Sequence, residues 1–218
     1  PDVRKQMTMI VTDGDVAEVL EITNQKEPMP AIYITTLMEN SNYIQRIPPS
    51  ISLMEVFRHI LEEGVYIIPK ITPGKNDLKL AGGGIFHGDR LVGWLGEMET
   101  VIYRWIVNEM TTSPIVTASP LSTTHKLADG YLAERSNTMV RTEIKDDTIK
   151  FILKIKTEGS LLERQLAKEL WNDETIASIR RDLASTLAGN IRLLINKAQE
   201  EWRLDIFGFG RYVEQNYP

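Results

Sequence analysis

Three consecutive glycines at residues 82–84 are the first feature that could serve a chemical function, because glycine-rich loops bind phosphate groups. A nucleoside-triphosphate loop ends in Gly-Lys-Ser/Thr, and Gly74-Lys75 lacks the hydroxyl residue that must follow. A dinucleotide fingerprint runs G-x-G-x-x-G from a strand into a helix, whereas this spacing ends at His87 and a second β-like run follows. The pattern therefore favours a strand that neighbouring backbone approaches closely, or a bulge, over a phosphate site.

Metal and nucleophile chemistry has little support, because the sequence contains no cysteine and only three histidines. The lack of cysteine excludes disulfides, thiolate nucleophiles and cysteine-type zinc or iron–sulfur sites within this chain. His59, His87 and His125 lie far apart without a metal-ligand spacing, so only a site assembled in space stays open. The G-x-S-x-G elbow of serine hydrolases is also missing. We expect no cofactor and no metal.

Four carboxylates are candidates for acid–base chemistry. Glu97 and Glu99 begin a predicted helix, where the helix dipole favours anions, so capping explains both at least as well as acid–base chemistry does. Glu163 follows a long predicted strand and Asp205 precedes the segment IFGFG; capping or salt bridging is favoured over catalysis for each. We expect that the protein is not an enzyme. A glycosidase with two paired carboxylates is the one form of hydrolase that stays open.

The charge and the apolar pattern exclude two classes of partner. The net charge is −5 and neither half of the chain has a positive excess, so we expect no nucleic-acid binding. No run of 18 uncharged apolar residues is present, which predicts that no segment spans a membrane. The chain begins without a methionine or a signal peptide, so we expect a fragment of a longer protein.

The clearest helix signal lies between residues 52 and 64. Ser52 and Glu55 have the spacing of a capping box, and Gly64 is placed to end the helix. The apolar residues of this helix have helical spacing and predict a single buried face, made of Leu53, Val56, Phe57, Ile60 and Leu61. The next residues, 65–71, predict a strand in which Pro69 indicates an edge position or an early end.

The remainder of the first half predicts strands and helices in alternation. Residues 6–12 favour a strand, which leads into a helix ending near Leu20, and a further helix is expected over residues 31–39. Two β-like runs around His87-Gly88-Asp89 predict a hairpin, and residues 97–109 predict a helix. Residues 111–124 are rich in proline, serine and threonine, so we expect a domain boundary near residue 110.

The second half predicts an antiparallel sheet and one long helix. Ile149, Phe151, Leu153 and Ile155 alternate with lysine-rich positions, and residues 140–144 before the Asp146-Asp147 turn offer a partner strand. Apolar residues then recur every three or four positions from 176 to 202. The sequence therefore predicts a mixed α+β protein with two domains, residues 1–110 and 111–218. In the second, an antiparallel sheet packs against a long amphipathic helix.

Four segments carry a resemblance to a known family: VTDGDVAEVLEI near the start, GGGIFHGDRLVGWLGEMET, TEGSLLE, and DIFGFGRYVEQNYP at the end. Their combination and order resemble the spore germination Ger(x)C family, the C subunits of nutrient germinant receptors. The residues that match the family motifs and serve as candidate site residues are Gly84, Phe86, Gly93, Trp94, Glu163, Asp205, Phe207, Gly208 and Gly210.

The resemblance implies a lipoprotein on the outer face of the spore inner membrane that works with membrane-embedded A and B receptor subunits. It implies no catalytic residues, so the motif residues are expected to hold the fold or to contact a partner. This chain lacks the lipidated cysteine, and residues 1–110 would be only part of a domain. The alternative is a binding module that itself captures an amino acid, sugar or nucleoside germinant.

Overall fold

The computed structural model describes residues 7–22, 29–39, 45–75, 77–118, 128–146, 148–163 and 173–216. The chain divides into two compact units. One unit combines Pro1–Arg104 with Ala198–Pro218, and the other is Trp105–Lys197. The predicted boundary near residue 110 stays a prediction.

The first unit is built on a four-stranded sheet with the order β1-β2-β3-β4, in which β1 runs parallel to β2 and the other pairs are antiparallel. Its strands are β1 (Val11–Thr12), β2 (Val65–Pro73), β3 (Leu78–His87) and β4 (Arg90–Leu95). Its helices are α1 (Val16–Glu21), α2 (Pro30–Glu39), α3 (Leu53–Leu61), α4 (Glu97–Ile106), which runs on into the second unit, and α6 (Phe209–Asn216).

Local sequence signals set several of these boundaries. The side chain of Asp15 accepts a hydrogen bond from the amide of Ala17 at 2.8 Å and begins α1. The predicted capping box is present, because Ser52 accepts from the amide of Glu55 while the Glu55 carboxylate accepts from the amide of Ser52 at 2.8 Å. The hairpin of β3 and β4 also forms, with Gly88 at a positive φ of 58° in its turn.

The expectation that Pro69 marks an edge or an early end of its strand is wrong. Strand β2 continues to Pro73 and lies between β1 and β3. Pro69 is buried opposite Gly83, and the register shifts between Pro69 and Ile71. This bulge accommodates proline inside the sheet, because the local ladder is interrupted where proline has no amide to donate.

The expectation of one buried apolar face on α3 is also wrong in part. Val56 is buried, but Phe57 is 51% exposed and Leu61 is 85% exposed. Met54 is 47% exposed, and positions 54, 57 and 61 follow one another at helical spacing. The described helix therefore carries an exposed apolar stripe.

The second unit has the predicted architecture of an antiparallel sheet with a long helix. Strands β5 (Ser113–Ala118), β6 (Ala128–Lys145) and β7 (Thr148–Glu163) pair in the order β5-β6-β7. Helix α5 (Asp173–Lys197) packs against β5, and its buried residues are Ile179, Leu187, Ile191 and Leu194. The chain then continues into a π-helical turn, Ala198–Trp202, which belongs to the first unit.

Candidate functional site

The glycines of β3 allow other parts of the first unit to pack directly on its backbone. Gly82 has a φ of 76°, and a Cβ there would lie 2.5 Å from the carbonyl oxygen of Leu95. A Cβ at Gly83 would lie 2.6 Å from Cγ2 of Ile67, and one at Gly84 would lie 3.1 Å from Cγ1 of Val11. The spaces are filled by protein, so these glycines form part of the scaffold and not a phosphate-binding loop.

Gly93 and Trp94 on β4 make two different contacts. A Cβ at Gly93 would lie 2.6 Å from Nε1 of Trp202, so the indole packs directly on the strand backbone. The ammonium group of Lys70 lies 5.2 Å from the ring centre of Trp94 and 2.9 Å from a carboxylate oxygen of Asp13. The Lys70 hydrogen bond is the main reason why the pKa of Asp13 is lowered. Both aromatic contacts tie β4 to other elements of the first unit.

The Asp205 carboxylate is engaged in organising its own loop. One oxygen accepts from the amide of Phe207 at 3.2 Å, and the other accepts from the amide of Gly210 at 2.6 Å, at the start of α6. Gly208 between them has a φ of 77°, a conformation that favours glycine. The carboxylate therefore acts as a helix cap, as the sequence favoured, and not as a free catalytic group.

Phe207 and Phe86 each belong to an aromatic stack. The ring of Phe207 lies 6.3 Å from that of Tyr103 and 5.3 Å from that of Phe209. Phe86 stacks on Tyr66 at 5.4 Å, and Tyr66 stacks on His59 at 5.2 Å. These contacts place both phenylalanines in the packing of the first unit.

Burial changes the acid–base properties of His59 and Tyr66, which stack on one another. Burial lowers the pKa of His59, and the nearby charges of Arg58 and Arg211 lower it further. Burial likewise raises the pKa of Tyr66, whose hydroxyl donates to the carbonyl of Gly88 at 2.9 Å. Burial therefore favours the neutral form of His59.

Two of the remaining acidic candidates, Glu97 and Glu99, have structural partners. Glu97 forms ion pairs with Lys79 and Arg46, and the Lys79 hydrogen bond is the main cause of its lowered pKa. Glu99 accepts from the amide of Gly96 at 2.7 Å, at the start of α4. Glu163 is the last residue of β7, opposite Gly130, and lies in the other unit. The first unit therefore holds all of the candidate motif residues except Glu163.

Metal-binding geometry is absent from the part of the chain that the structure describes. Within those ranges, no group of three or more histidine, aspartate or glutamate side chains is placed to hold a metal ion. His125 lies outside the described residues. Over the same ranges, none of the helices combines the length and apolar character needed to cross a lipid bilayer.

A large apolar groove in the second unit was not predicted from the sequence. It has a volume of about 810 Å³ and lies between α5 and the three strands. Leu153 and Ile155, which were expected to face a core, line its strand wall. On the helix wall, Ala184 and Ala188 stand between larger residues. These two small residues, four positions apart, are the sequence signal that a helix face leaves space beside it.

Comparison with known proteins identifies the family. The model for "Spore germination B3/ GerAC like, C-terminal" matches residues 81–218, and the model for "Spore germination protein N-terminal domain" matches residues 1–73. The chain belongs to the GerAC-like spore germination family. The resemblance carried by the four sequence segments is thereby confirmed.

Two relatives of this GerAC-like chain extend the comparison. It is 21% identical to the spore germination protein YndF of Bacillus subtilis (strain 168), over all of this chain and 53% of that protein. It shares its fold with the crystal structure of the GerBC protein, with a TM-score of 0.77 and 18% identity over 99% of this chain and 60% of that one. The chain thus spans about half the length of the curated relative that it matches.

Proposed function

We propose that this chain acts in germination as the C subunit of a spore nutrient germinant receptor. It is not an enzyme and works through contacts with the membrane-embedded A and B receptor subunits. The observation that carries the proposal is the match to both GerAC-like family models, in the expected order, over residues 1–73 and 81–218. Its place would be the outer face of the spore inner membrane, held by a lipid anchor, as the family resemblance implies.

The geometry of the first unit supports a role in contact over a role in catalysis. The carboxylates of Asp205 and Glu99 are engaged with backbone amides, and Glu97 is engaged with cations. Meanwhile Phe57 and Leu61 leave large apolar surfaces exposed on α3. Exposed apolar stripes of this kind are typical of surfaces that a protein partner covers.

Capture with the tagged chain tests this proposal. The bait is incubated with detergent-solubilised spore inner membranes, and the retained proteins are identified by mass spectrometry. We expect recovery of polytopic A and B receptor subunits. A variant with Phe57→Asp and Leu61→Asp should lose most of this recovery, because two charges replace apolar contact area at the α3 surface.

Leu193→Asp is the matched control, because Leu193 is an apolar helix residue in the second unit whose exposure, 70%, lies between those of Phe57 and Leu61. It should retain the receptor subunits. If the intact bait retains no A or B subunit, the proposed role is wrong and only the family fold remains. Equal recovery of receptor subunits by both variants would show that α3 is not part of the contact surface.

Direct capture of a nutrient by this chain is the weaker candidate. Amino acids, sugars and nucleosides carry many polar groups, and each would require a partner after leaving water. The large groove in the second unit is mostly apolar, with Leu153, Ile155 and Leu187 among its lining residues. Its chemistry therefore does not favour a polar germinant.

A further inference from the structure

The groove of the second unit runs along one face of α5. Its helix wall uses α5 residues from Arg180 to Arg192 and on to Ile195, spaced three or four apart along one face. Residues 180 and 195 are fifteen positions apart, or about 22 Å along the helix, so the groove matches an elongated molecule better than a compact one. The opposite wall is formed by Leu153 and Ile155 on β7, with Ile115 and Tyr131 beside them.

The charged residues that line the groove are two arginines and one glutamate. Arg180 and Arg192 line the groove from the helix, and Glu158 lines it from the strand. Within the ranges that the structure describes, neither arginine has an ion-pair partner. The two arginines are twelve positions apart, or about 18 Å along the helix. The groove therefore combines a mostly apolar lining with two guanidinium groups that form no ion pair within the described residues, and each is suited to a carboxylate.

We propose that this groove binds a long-chain fatty acid, with the acyl chain along α5 and the carboxylate at one of the two arginines. An unbranched acyl chain contains no polar group that would be left without a partner in the apolar interior. A carboxylate offers the planar, paired acceptors that a guanidinium group binds best. This inference does not depend on the receptor role, because it concerns the second unit alone.

The first test measures how affinity depends on chain length. The purified chain is titrated with decanoate, dodecanoate and tetradecanoate, in competition with a fluorescent fatty acid and below the concentration at which micelles form. Each added pair of methylene groups should tighten binding by about ten-fold, as expected for full burial of the acyl chain. An affinity that stays flat along the series would overturn the proposal.

The second test fills the groove. Ala188→Trp places an indole among the apolar lining residues and should weaken tetradecanoate binding at least ten-fold. Leu193→Trp is the control, because Leu193 is exposed on the opposite side of α5 and should leave the affinity unchanged. Circular dichroism checks folding, and Ala184→Leu gives a smaller filling change if Ala188→Trp does not fold. Unchanged affinity in both groove variants would overturn the proposal.

The third test concerns the carboxylate. Arg180→Gln or Arg192→Gln should weaken tetradecanoate binding by about three- to ten-fold, while tetradecanol binding stays unchanged. Arg181→Gln removes the same charge from a helix residue that does not line the groove. It should therefore leave the affinities for tetradecanoate and for tetradecanol unchanged. An equal loss in all three variants would indicate a non-specific charge effect and would overturn the assigned head-group site.

A second copy of this chain is the competing occupant of the groove. In that case wild-type protein would self-associate in sedimentation, Ala188→Trp would be monomeric, and tetradecanoate would not bind. That result would also overturn the proposal.

Discussion

Gly93 leaves no room for a side chain, because the indole of Trp202 packs against it. A Cβ would lie 2.6 Å from Nε1 and 2.9 Å from Cδ1 of Trp202, whose indole is buried. Gly93→Ala must displace the ring or the strand, and overpacking of this kind costs about 1–3 kcal/mol. We expect a lower midpoint in urea denaturation with an unchanged slope.

Gly189→Ala is the matched control for Gly93→Ala. Gly189 lies inside α5, and nothing stands within 4 Å of the position that its Cβ would take. Alanine is a better helix former, so this change should stabilise the protein by about 0.5–1 kcal/mol. The same substitution is thus expected to lower stability at Gly93 and to raise it at Gly189. Destabilisation of similar size at both would contradict the assigned packing of Trp202 on β4.

His59 makes stability dependent on pH near neutrality. Burial lowers the pKa of His59 in the folded state, so the unfolded chain binds more protons as the pH falls below about 6.5. The stabilising contribution is therefore complete at pH 7.5 and above, and is lost as the pH falls from about 6.5 towards the folded-state pKa. Denaturation between about pH 7.5 and 5.5 should show this loss in the wild type and not in His59→Phe.

Phenylalanine keeps the stacking surface against Tyr66, so the comparison isolates the titration from the packing. Identical pH profiles for the wild type and His59→Phe would show that another group causes the loss.

At the scale of elements, the sequence predicts what short-range contacts decide. The capping box of Ser52 and Glu55 needs only residues three positions apart, and it forms as predicted. Pro69 could not be placed in the same way, because its effect depends on a bulge against β3. The exposure of Phe57 and Leu61 could not be predicted either, because periodicity indicates an apolar face and does not show what packs against it.

The groove is a second feature that the sequence pattern does not predict. Alternation in β7 identifies Leu153 and Ile155 as one face of a strand. It cannot tell whether a helix packs tightly on that face or leaves a space of about 810 Å³ beside it. That outcome depends on where α5 lies over the sheet, and the small residues Ala184 and Ala188 are a local sign of it.

The orientation of α5 can be tested with two neighbouring leucines. Leu194 is 3% exposed, whereas Leu193 is 70% exposed. Leu194→Ala removes buried volume and should cost about 2–5 kcal/mol, while Leu193→Ala should stay within about 0.5 kcal/mol of the wild type. Urea denaturation of both variants measures the difference. Similar costs for both would contradict the helix orientation.

At the scale of the whole molecule, the family and the α+β class could be predicted, because each rests on patterns distributed along the whole chain. The grouping of the last segment depends on contacts between residues that are far apart in sequence. Reading the chain in order assigns residues 198–218 to the second domain, yet these residues group with the first unit. The reason is a set of long-range contacts, of Trp202 with Gly93 and of Phe207 with Tyr103, that no local pattern contains.

Removal of residues 198–218 therefore has an expected effect far away in sequence. The truncated chain loses the indole on Gly93 and the ring on Tyr103, so amide hydrogen exchange should accelerate in β3 and β4. Exchange in the paired centres of β6 and β7 should stay close to that of the intact chain, although β6 and β7 are nearer in sequence to the deleted segment than β3 and β4 are. Trp202→Ala in the intact chain should accelerate exchange at the same strands to a smaller degree, because it removes one of the two contacts. Accelerated exchange confined to β6 and β7 would instead assign the last segment to the second unit, as a boundary near residue 110 requires.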